Sequence, residues 1–107
     1  MGNKAVYSLT TIQRIALSKK KCLSTKRVLA WLENHGYELG TLQDIVLTLK
    51  ESDFYKSDEL LMIPGKMADV YLAMYEGEKW YVKFFVDDGP QGSCVRILSC
   101  CLDEYMH

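Results

Sequence analysis

The sequence has few of the residues and runs that mark several common classes of protein. It has no apolar run near the roughly 18 residues that a membrane-spanning helix needs, so we expect no membrane insertion. It contains no glycine-rich phosphate loop and no H-E-x-x-H metal motif. Only His35 and His107 could supply an imidazole, so acid–base chemistry would depend on lysine, tyrosine, arginine or carboxylates.

The cysteines do not indicate a metal site or a disulfide framework. None of the four has the C-x-x-C spacing that is typical of zinc and redox motifs. Cys100 and Cys101 are adjacent, and consecutive strand residues point to opposite faces, which disfavours a disulfide between them. We therefore expect small buried thiols, a reducing compartment, and neither metal nor cofactor. Met1–Lys4 is not followed by an apolar signal core, which also favours the cytosol.

The overall charge gives little support for binding to nucleic acid. The formal net charge is −1 and the pI is about 6.1, whereas nucleic-acid binders usually present a basic surface. The basic residues are concentrated in the first quarter of the chain, which permits a local basic face. No helix-turn-helix spacing is present, so we do not expect the chain to bind DNA directly without a partner.

The pattern of apolar residues predicts one α+β domain over residues 1–107, with helices first and an antiparallel sheet after them. Ser8 or Thr10 can cap a first helix, and Ser24 a second helix that ends at Gly36. A third helix is predicted by four apolar residues at i, i+3, i+4 and i+7 spacing, which are Leu42, Ile45, Val46 and Leu49.

From residue 53 the apolar period changes to that of strands. Residues 69–75 and 80–86 alternate and are joined by a glycine-containing turn, which predicts a hairpin, and a last strand over 94–101 completes a meander. The sequence leaves open a further strand at 4–7 or 54–61. Trp80, Val82 and Phe84 are predicted to cover the core, which places Tyr81 and Lys83 on the opposite, more open face. That pair suits either a polyanion or ordinary packing beside a solvated lysine.

Three short motifs in the second half of the chain resemble those of a known family. D-F-Y-K-S at residues 53–57 is followed by D-V-Y at 69–71 and by Y-V-K at 81–83. In this order and near these separations they resemble the MqsR family (motility quorum-sensing regulator) of bacterial type II toxins. Y-S-L at 7–9 and S-T-K-R at 24–27 are similar to the family's N-terminal half. The resemblance therefore extends through most of the chain.

The resemblance implies a RelE-like fold, in which helices back a curved antiparallel sheet. It also implies a toxin that cuts messenger RNA without a metal or a ribosome and that a cognate antitoxin inhibits. Lys56 and Tyr81 match two catalytic positions of the family. Aromatic rings beside cations suit single-stranded RNA, because bases stack on the rings while the cations contact phosphates. The expected RNA-binding residues are Tyr55, Tyr71, Lys83 and Arg96.

Two positions depart from the family pattern and leave a second hypothesis open. Ala68 stands where the family has a glutamine, and no lysine lies near Cys100 and Cys101, where Arg96 is the nearest cation on the same predicted strand. The chain is thus either an active ribonuclease or a toxin-fold module that binds an antitoxin-like partner without chemistry.

An apolar run at Leu60–Ile63 allows two interpretations. The preferred one is a buried strand. The other is a surface for a protein partner, which requires these side chains to be exposed in the free protein.

Overall fold

A computed structural model of the chain describes residues 4–38, 40–90 and 92–106. It contains three α-helices and five β-strands, joined in part by short 3-10 turns. The helices are α1 (Leu9–Ala16), α2 (Lys26–Asn34) and α3 (Gly40–Thr48). The strands are β1 (Cys22–Ser24), β2 (Phe54–Glu59), β3 (Met67–Tyr75), β4 (Glu78–Gly89) and β5 (Gly92–Leu102). The α+β class predicted from the sequence is confirmed.

The caps of the first two helices follow from local side-chain chemistry. The Ser8 hydroxyl accepts the backbone N–H of Thr11 and so begins α1, as predicted. The predicted cap of α2 was wrong by one residue. Ser24 is the last residue of β1, and the hydroxyl of Thr25 accepts the N–H of Val28. Gly36 adopts the left-handed φ of +80° that ends the helix, as expected.

The third helix is tied to the first by side-chain amides, one of which is that of Gln13. The side-chain Nε2 of Gln13 lies 3.2, 3.1 and 2.9 Å from the carbonyl oxygens of Val46, Leu47 and Leu49. These carbonyls lie in the last turn of α3 and just after it, where helical hydrogen-bond partners run out. The four apolar residues predicted for α3 are all buried, so the third helix covers the sheet as its periodicity indicated.

The sheet has the strand order β1-β5-β4-β3-β2. Strands β3, β4 and β5 form the predicted antiparallel meander, and residues 54–59 supply the further strand that the sequence left open. Residues 4–7 form no strand. The sequence did not indicate β1, which pairs in parallel with β5 through Cys22 opposite Val95. The sheet is therefore mixed, because this short strand adds one parallel pairing at its edge.

The two faces of the sheet have different surroundings. Trp80, Val82 and Phe84 are fully buried in the core beneath the helices, as predicted. Tyr81 and Lys83 alternate with them and lie on the opposite face. We call this second side the open face. It is the side on which most of the residues expected to be functional come together.

A β-bulge in β2 sends neighbouring parts of one motif to opposite faces. Phe54 pairs with Tyr71, but Lys56 pairs with Val70, so Tyr55 is the extra residue. Without the bulge, Phe54 and Lys56 would share a face because they are two residues apart. With it, Phe54 packs toward the core while Lys56 lies on the open face.

Candidate functional site

Polar side chains from β2 and β4 meet on the open face across the intervening β3. Lys56 and Asp58 lie on β2, and Lys83 lies in the same row as Lys56, with Val70 of β3 between them. Lys56 Nζ is 3.3 Å from Asp58 Oδ2, and Lys83 Nζ is 3.7 Å from the same oxygen. Two ammonium groups from different strands are thus held beside one carboxylate.

The two predicted catalytic residues also lie close enough to influence each other. The hydrogen bond from the Lys56 ammonium to Asp58, and then the charge of Asp58, raise the pKa of Lys56. Burial raises the pKa of the Tyr81 phenol, while the positive charge of Lys56 opposes the rise. At neutral pH the site therefore presents a cation next to a neutral phenol that can donate a hydrogen bond.

Arg96 lies on β5 at the border of this site. Its Nε is 3.0 Å from Asp87 Oδ2, and both side chains are partly exposed. Arg96 pairs across the strands with Phe85, which places it on the open face. The structure therefore brings Lys56, Tyr81, Lys83 and Arg96 to one side of the sheet.

The two tyrosines expected to bind RNA are in different environments. Tyr55, at the bulge, is half exposed, and Lys56 Nζ lies 5.6 Å from the centre of its ring. Tyr71 is only 1% exposed and packs between Phe54 and Phe84 in the core. Burial raises the pKa of Tyr71 to about 12. Tyr71 is therefore a core residue, and its ring has no access to RNA in this fold.

Two residues of the motifs, Asp69 and Ser57, hold the N-terminal segment in place. Asp69 is fully buried, and its carboxylate accepts the backbone N–H groups of Val6 at 3.0 Å and Tyr7 at 2.9 Å. The hydroxyl of Ser57 donates a third hydrogen bond to the same carboxylate. Asp69 belongs to D-V-Y and Ser57 to D-F-Y-K-S. These positions are thus explained by folding, a role that sequence reasoning missed.

The preferred interpretation of the Leu60–Ile63 run as a buried strand was wrong. Strand β2 ends at Glu59, and residues 60–66 form a loop closed by a hydrogen bond from the N–H of Leu60 to the carbonyl of Lys66. Leu61 is 96% exposed and Met62 is 94% exposed. Periodicity could not reveal this, because a four-residue apolar run fits a strand and a loop equally well.

The exposed run forms one wall of a groove on the open face. The groove is about 570 Å³ in volume, and its lining includes the loop, Arg27 of α2, Lys83, Phe85 and Arg96. It therefore combines apolar side chains with three cationic ones. We call residues 60–63 the apolar loop.

The four cysteines are free thiols, and Cys100 and Cys101 are buried. Over residues 4–38, 40–90 and 92–106, the His, Cys, Asp and Glu side chains form no group of three or more that could hold a metal ion. Within the same ranges, each helix is too short or too polar to cross a bilayer. His107, the last histidine considered in the sequence, lies outside the described residues.

The three motifs lie within the part of the chain that matches a known protein family. The chain matches the family described as motility quorum-sensing regulator, toxin of MqsA, over residues 4–97. The protein belongs to the MqsR toxin family. It is accordingly a toxin of a toxin–antitoxin system, and its family assigns it an antitoxin partner. No curated protein matches the chain.

Sequence reasoning also missed Asp58, whose carboxylate lies between the ammonium groups of Lys56 and Lys83. A signal was present, because Asp58 lies two residues after Lys56 in a strand and so shares its face. The same reasoning could not find Asp69, whose partners Val6 and Tyr7 are more than 60 residues away.

Proposed function

We propose that the protein is a metal-independent and ribosome-independent endoribonuclease that cuts single-stranded messenger RNA in the cytosol. The observation that carries this proposal is the placement of Lys56 and Tyr81 on the same face of the sheet. Tyr81 is 8% exposed there, and the positive charge of Lys56 opposes the rise in its pKa. A cation beside a neutral phenol supplies two of the elements that RNA cleavage requires. These are stabilisation of negative charge and a proton for the leaving group.

The proposed reaction is attack of a ribose 2′-hydroxyl on the adjacent phosphorus. The Lys56 ammonium stabilises the extra negative charge that forms on the phosphoryl oxygens. Tyr81 donates its proton to the departing 5′-oxygen, which leaves a 2′,3′-cyclic phosphate and a 5′-hydroxyl. Because the pKa of Tyr81 is raised, the phenol retains its proton at neutral pH and loses activity as an acid only in strongly alkaline solution.

We assign RNA binding to three residues around this pair. Lys83 and Arg96 offer positive charge for phosphates, and Tyr55 offers a half-exposed ring for stacking a base. Tyr71 is left out of this surface because it is buried. The carboxylates that accompany these cations compete with RNA phosphates, so we expect them to weaken RNA binding. Binding should also weaken as salt rises, because contacts between cations and phosphates are electrostatic.

The test is RNA cleavage by the purified protein in excess EDTA, with the ends mapped by primer extension. Lys56→Ala and Tyr81→Phe should each lose about 10²–10³ in rate, the usual cost of one charge-stabilising or proton-donating group. Lys79→Ala is the matched control for the loss of a lysine. Lys79 lies on β4, as Tyr81 does, but its ammonium group pairs with Asp103 at 4.0 Å. Cleavage that is unchanged in the Lys56 variant would refute the assignment.

We further propose that the apolar loop is part of the surface bound by the antitoxin. Leu61 and Met62 are almost fully exposed beside the cationic side chains of the groove, which suits a partner with apolar residues and an acidic border. Leu61→Ser combined with Met62→Ser should weaken antitoxin binding at least tenfold. Leu17→Ser, at an exposed leucine on the helical side, should leave it unchanged. Equal hydrogen exchange of the loop with and without antitoxin would exclude this surface.

The alternative function is an interaction module that binds its antitoxin without cutting RNA. Ala68 in place of the family's glutamine favours it, as do the intramolecular carboxylate partners of Lys56, Lys83 and Arg96. Intact RNA after incubation with well-folded, antitoxin-binding protein would select this alternative over the enzyme.

A further inference from the structure

One carboxylate on the open face lies at the centre of the proposed catalytic group. Asp58 Oδ2 is 3.3 Å from Lys56 Nζ and 3.7 Å from Lys83 Nζ, and its charge also raises the pKa of Tyr81. Asp58 pairs across the strands with Ala68, the position at which the polar residue expected from the motif is absent. The carboxylate of Asp58 on β2 therefore provides a polar group beside the position that Ala68 occupies on β3.

The reaction proposed above needs a proton acceptor that neither Lys56 nor Tyr81 can provide. Both have raised pKa values, so at neutral pH each carries its proton and can act only as a donor or a charge. Activation of a 2′-hydroxyl requires a base within hydrogen-bond reach. Asp87, also on this side of the sheet, is engaged by Arg96 and has no contact with the two lysines.

We infer that Asp58 is the general base that accepts the proton of the ribose 2′-hydroxyl, an assignment that rests on the proposed ribonuclease function. The 2′-oxygen forms its bond to phosphorus as its proton passes to the Asp58 carboxylate. The bond from phosphorus to the 5′-oxygen breaks, and that oxygen takes the proton of Tyr81. Exchange with water then returns a proton to Tyr81 and removes one from Asp58, so the enzyme is unchanged.

The ion pairs of Asp58 are compatible with this role. Both lysines contact the same oxygen, Oδ2, while a carboxylate offers about four lone-pair sites in all. Acceptor capacity therefore remains for a hydroxyl. A phosphate that binds Lys56 would also weaken its hold on Asp58, so that substrate binding itself prepares the base.

The charged and titratable groups that face Asp58 come from two strands. Lys56 is on its own strand, and Tyr81 and Lys83 are on β4. The facing residues of β3, Ala68 and Val70, do not titrate. Of these groups Asp58 alone is a carboxylate, so a comparison of the pH profiles of its variants tests the assignment directly.

The experiment compares the pH profiles of kcat/KM for the unmodified protein, Asp58→Asn and Asp58→Glu on one short RNA in EDTA. Asp58→Asn should lose about 10²–10⁴ in rate, the usual contribution of a general base, and its profile should lose the acid-side rise. Asp58→Glu should recover part of the rate and the rise. Asp44→Asn, at an exposed aspartate of α3 whose bond from the Tyr75 hydroxyl an amide oxygen can still accept, should behave as the unmodified protein, and circular dichroism should show all variants folded.

Chemical rescue separates a base from a residue that only positions Lys56. Formate added to Asp58→Ala should restore cleavage in proportion to its concentration, because it supplies a carboxylate at the vacated position. A variant that cuts RNA as fast as the unmodified protein, or faster, would overturn the inference. So would a slow Asp58→Asn variant that keeps the acid-side rise, with no rescue of Asp58→Ala. If the unmodified protein itself leaves RNA intact, the proposed function fails, and the base assignment fails with it.

Discussion

Replacement of Asp69 by asparagine should destabilise the fold although no residue of the open face is changed. The buried carboxylate accepts the N–H groups of Val6 and Tyr7 through different oxygens, and the hydroxyl of Ser57 adds a third bond. Asparagine has the same shape, but it replaces one of the two acceptor oxygens with an NH₂ group. One backbone N–H would then face another donor.

The expected loss can be worked from these contacts. A buried donor left without an acceptor costs about 1–3 kcal/mol, and hydrogen bonds to a charged group contribute about 1.5–3 kcal/mol against about 1 for neutral ones. Partial exposure of Val6 lets water recover some of this loss. We therefore expect Asp69→Asn to lower the free energy of unfolding by about 3 kcal/mol.

The assay is urea denaturation followed by tryptophan fluorescence, which reports the two tryptophans, one of them fully buried at Trp80. Asp44→Asn is the control for loss of a carboxylate at an exposed position, with an expected change within about 0.5 kcal/mol. Amide exchange at Val6 and Tyr7 should accelerate in the Asp69 variant. A loss below about 1 kcal/mol, with unchanged exchange at these amides, would refute the role given to Asp69.

Three further outcomes test other parts of the fold. Thr25→Ala should cost about 1 kcal/mol in denaturant unfolding, and Ser24→Ala less than about 0.5, since the structure assigns the α2 cap to Thr25; equal losses would contradict that assignment. Burial raises the pKa of Cys100 to about 12, and that of Cys22, which is partly exposed, to about 11, so at pH 8 both thiols should react with iodoacetamide more slowly in the native protein than in the unfolded one; equal rates, measured by mass spectrometry, would contradict this expectation. Trp80→Ala should lower the free energy of unfolding by about 3–5 kcal/mol because the ring is fully buried in the core, and a loss below about 1 kcal/mol in thermal unfolding would be incompatible with that packing.

Much of the fold could be predicted because its elements repeat a clear period. The apolar spacing of α3 and the alternation of β4 each cover several residues, and both were confirmed. Strand β1 has three residues, which is too short for alternation to be recognised, and its parallel partner β5 lies about 70 residues later. Pairing of that kind depends on the packed structure rather than on any local pattern.

The site could be predicted only where one face of a strand was decisively apolar. In β4 the large apolar residues Trp80, Val82 and Phe84 showed which face is buried, so Tyr81 and Lys83 could be assigned to the other face. In β3 both stripes are apolar, so alternation could not tell which one faces the helices, and Tyr71 was assigned to RNA although it belongs to the core. The exposure of Leu61 and Met62 was likewise undetermined, because composition alone does not distinguish a turn with apolar side chains from a strand.

Because of the bulge at Tyr55, the number of residues in the D-F-Y-K-S motif determines which face of the sheet each of its side chains occupies. Loss of one residue there would restore strict alternation in β2. Either Phe54 would then leave the core or Lys56 would leave the open face. No single compensating substitution elsewhere can return both side chains to their places. The spacing within D-F-Y-K-S should therefore tolerate changes of residue type far better than any insertion or deletion.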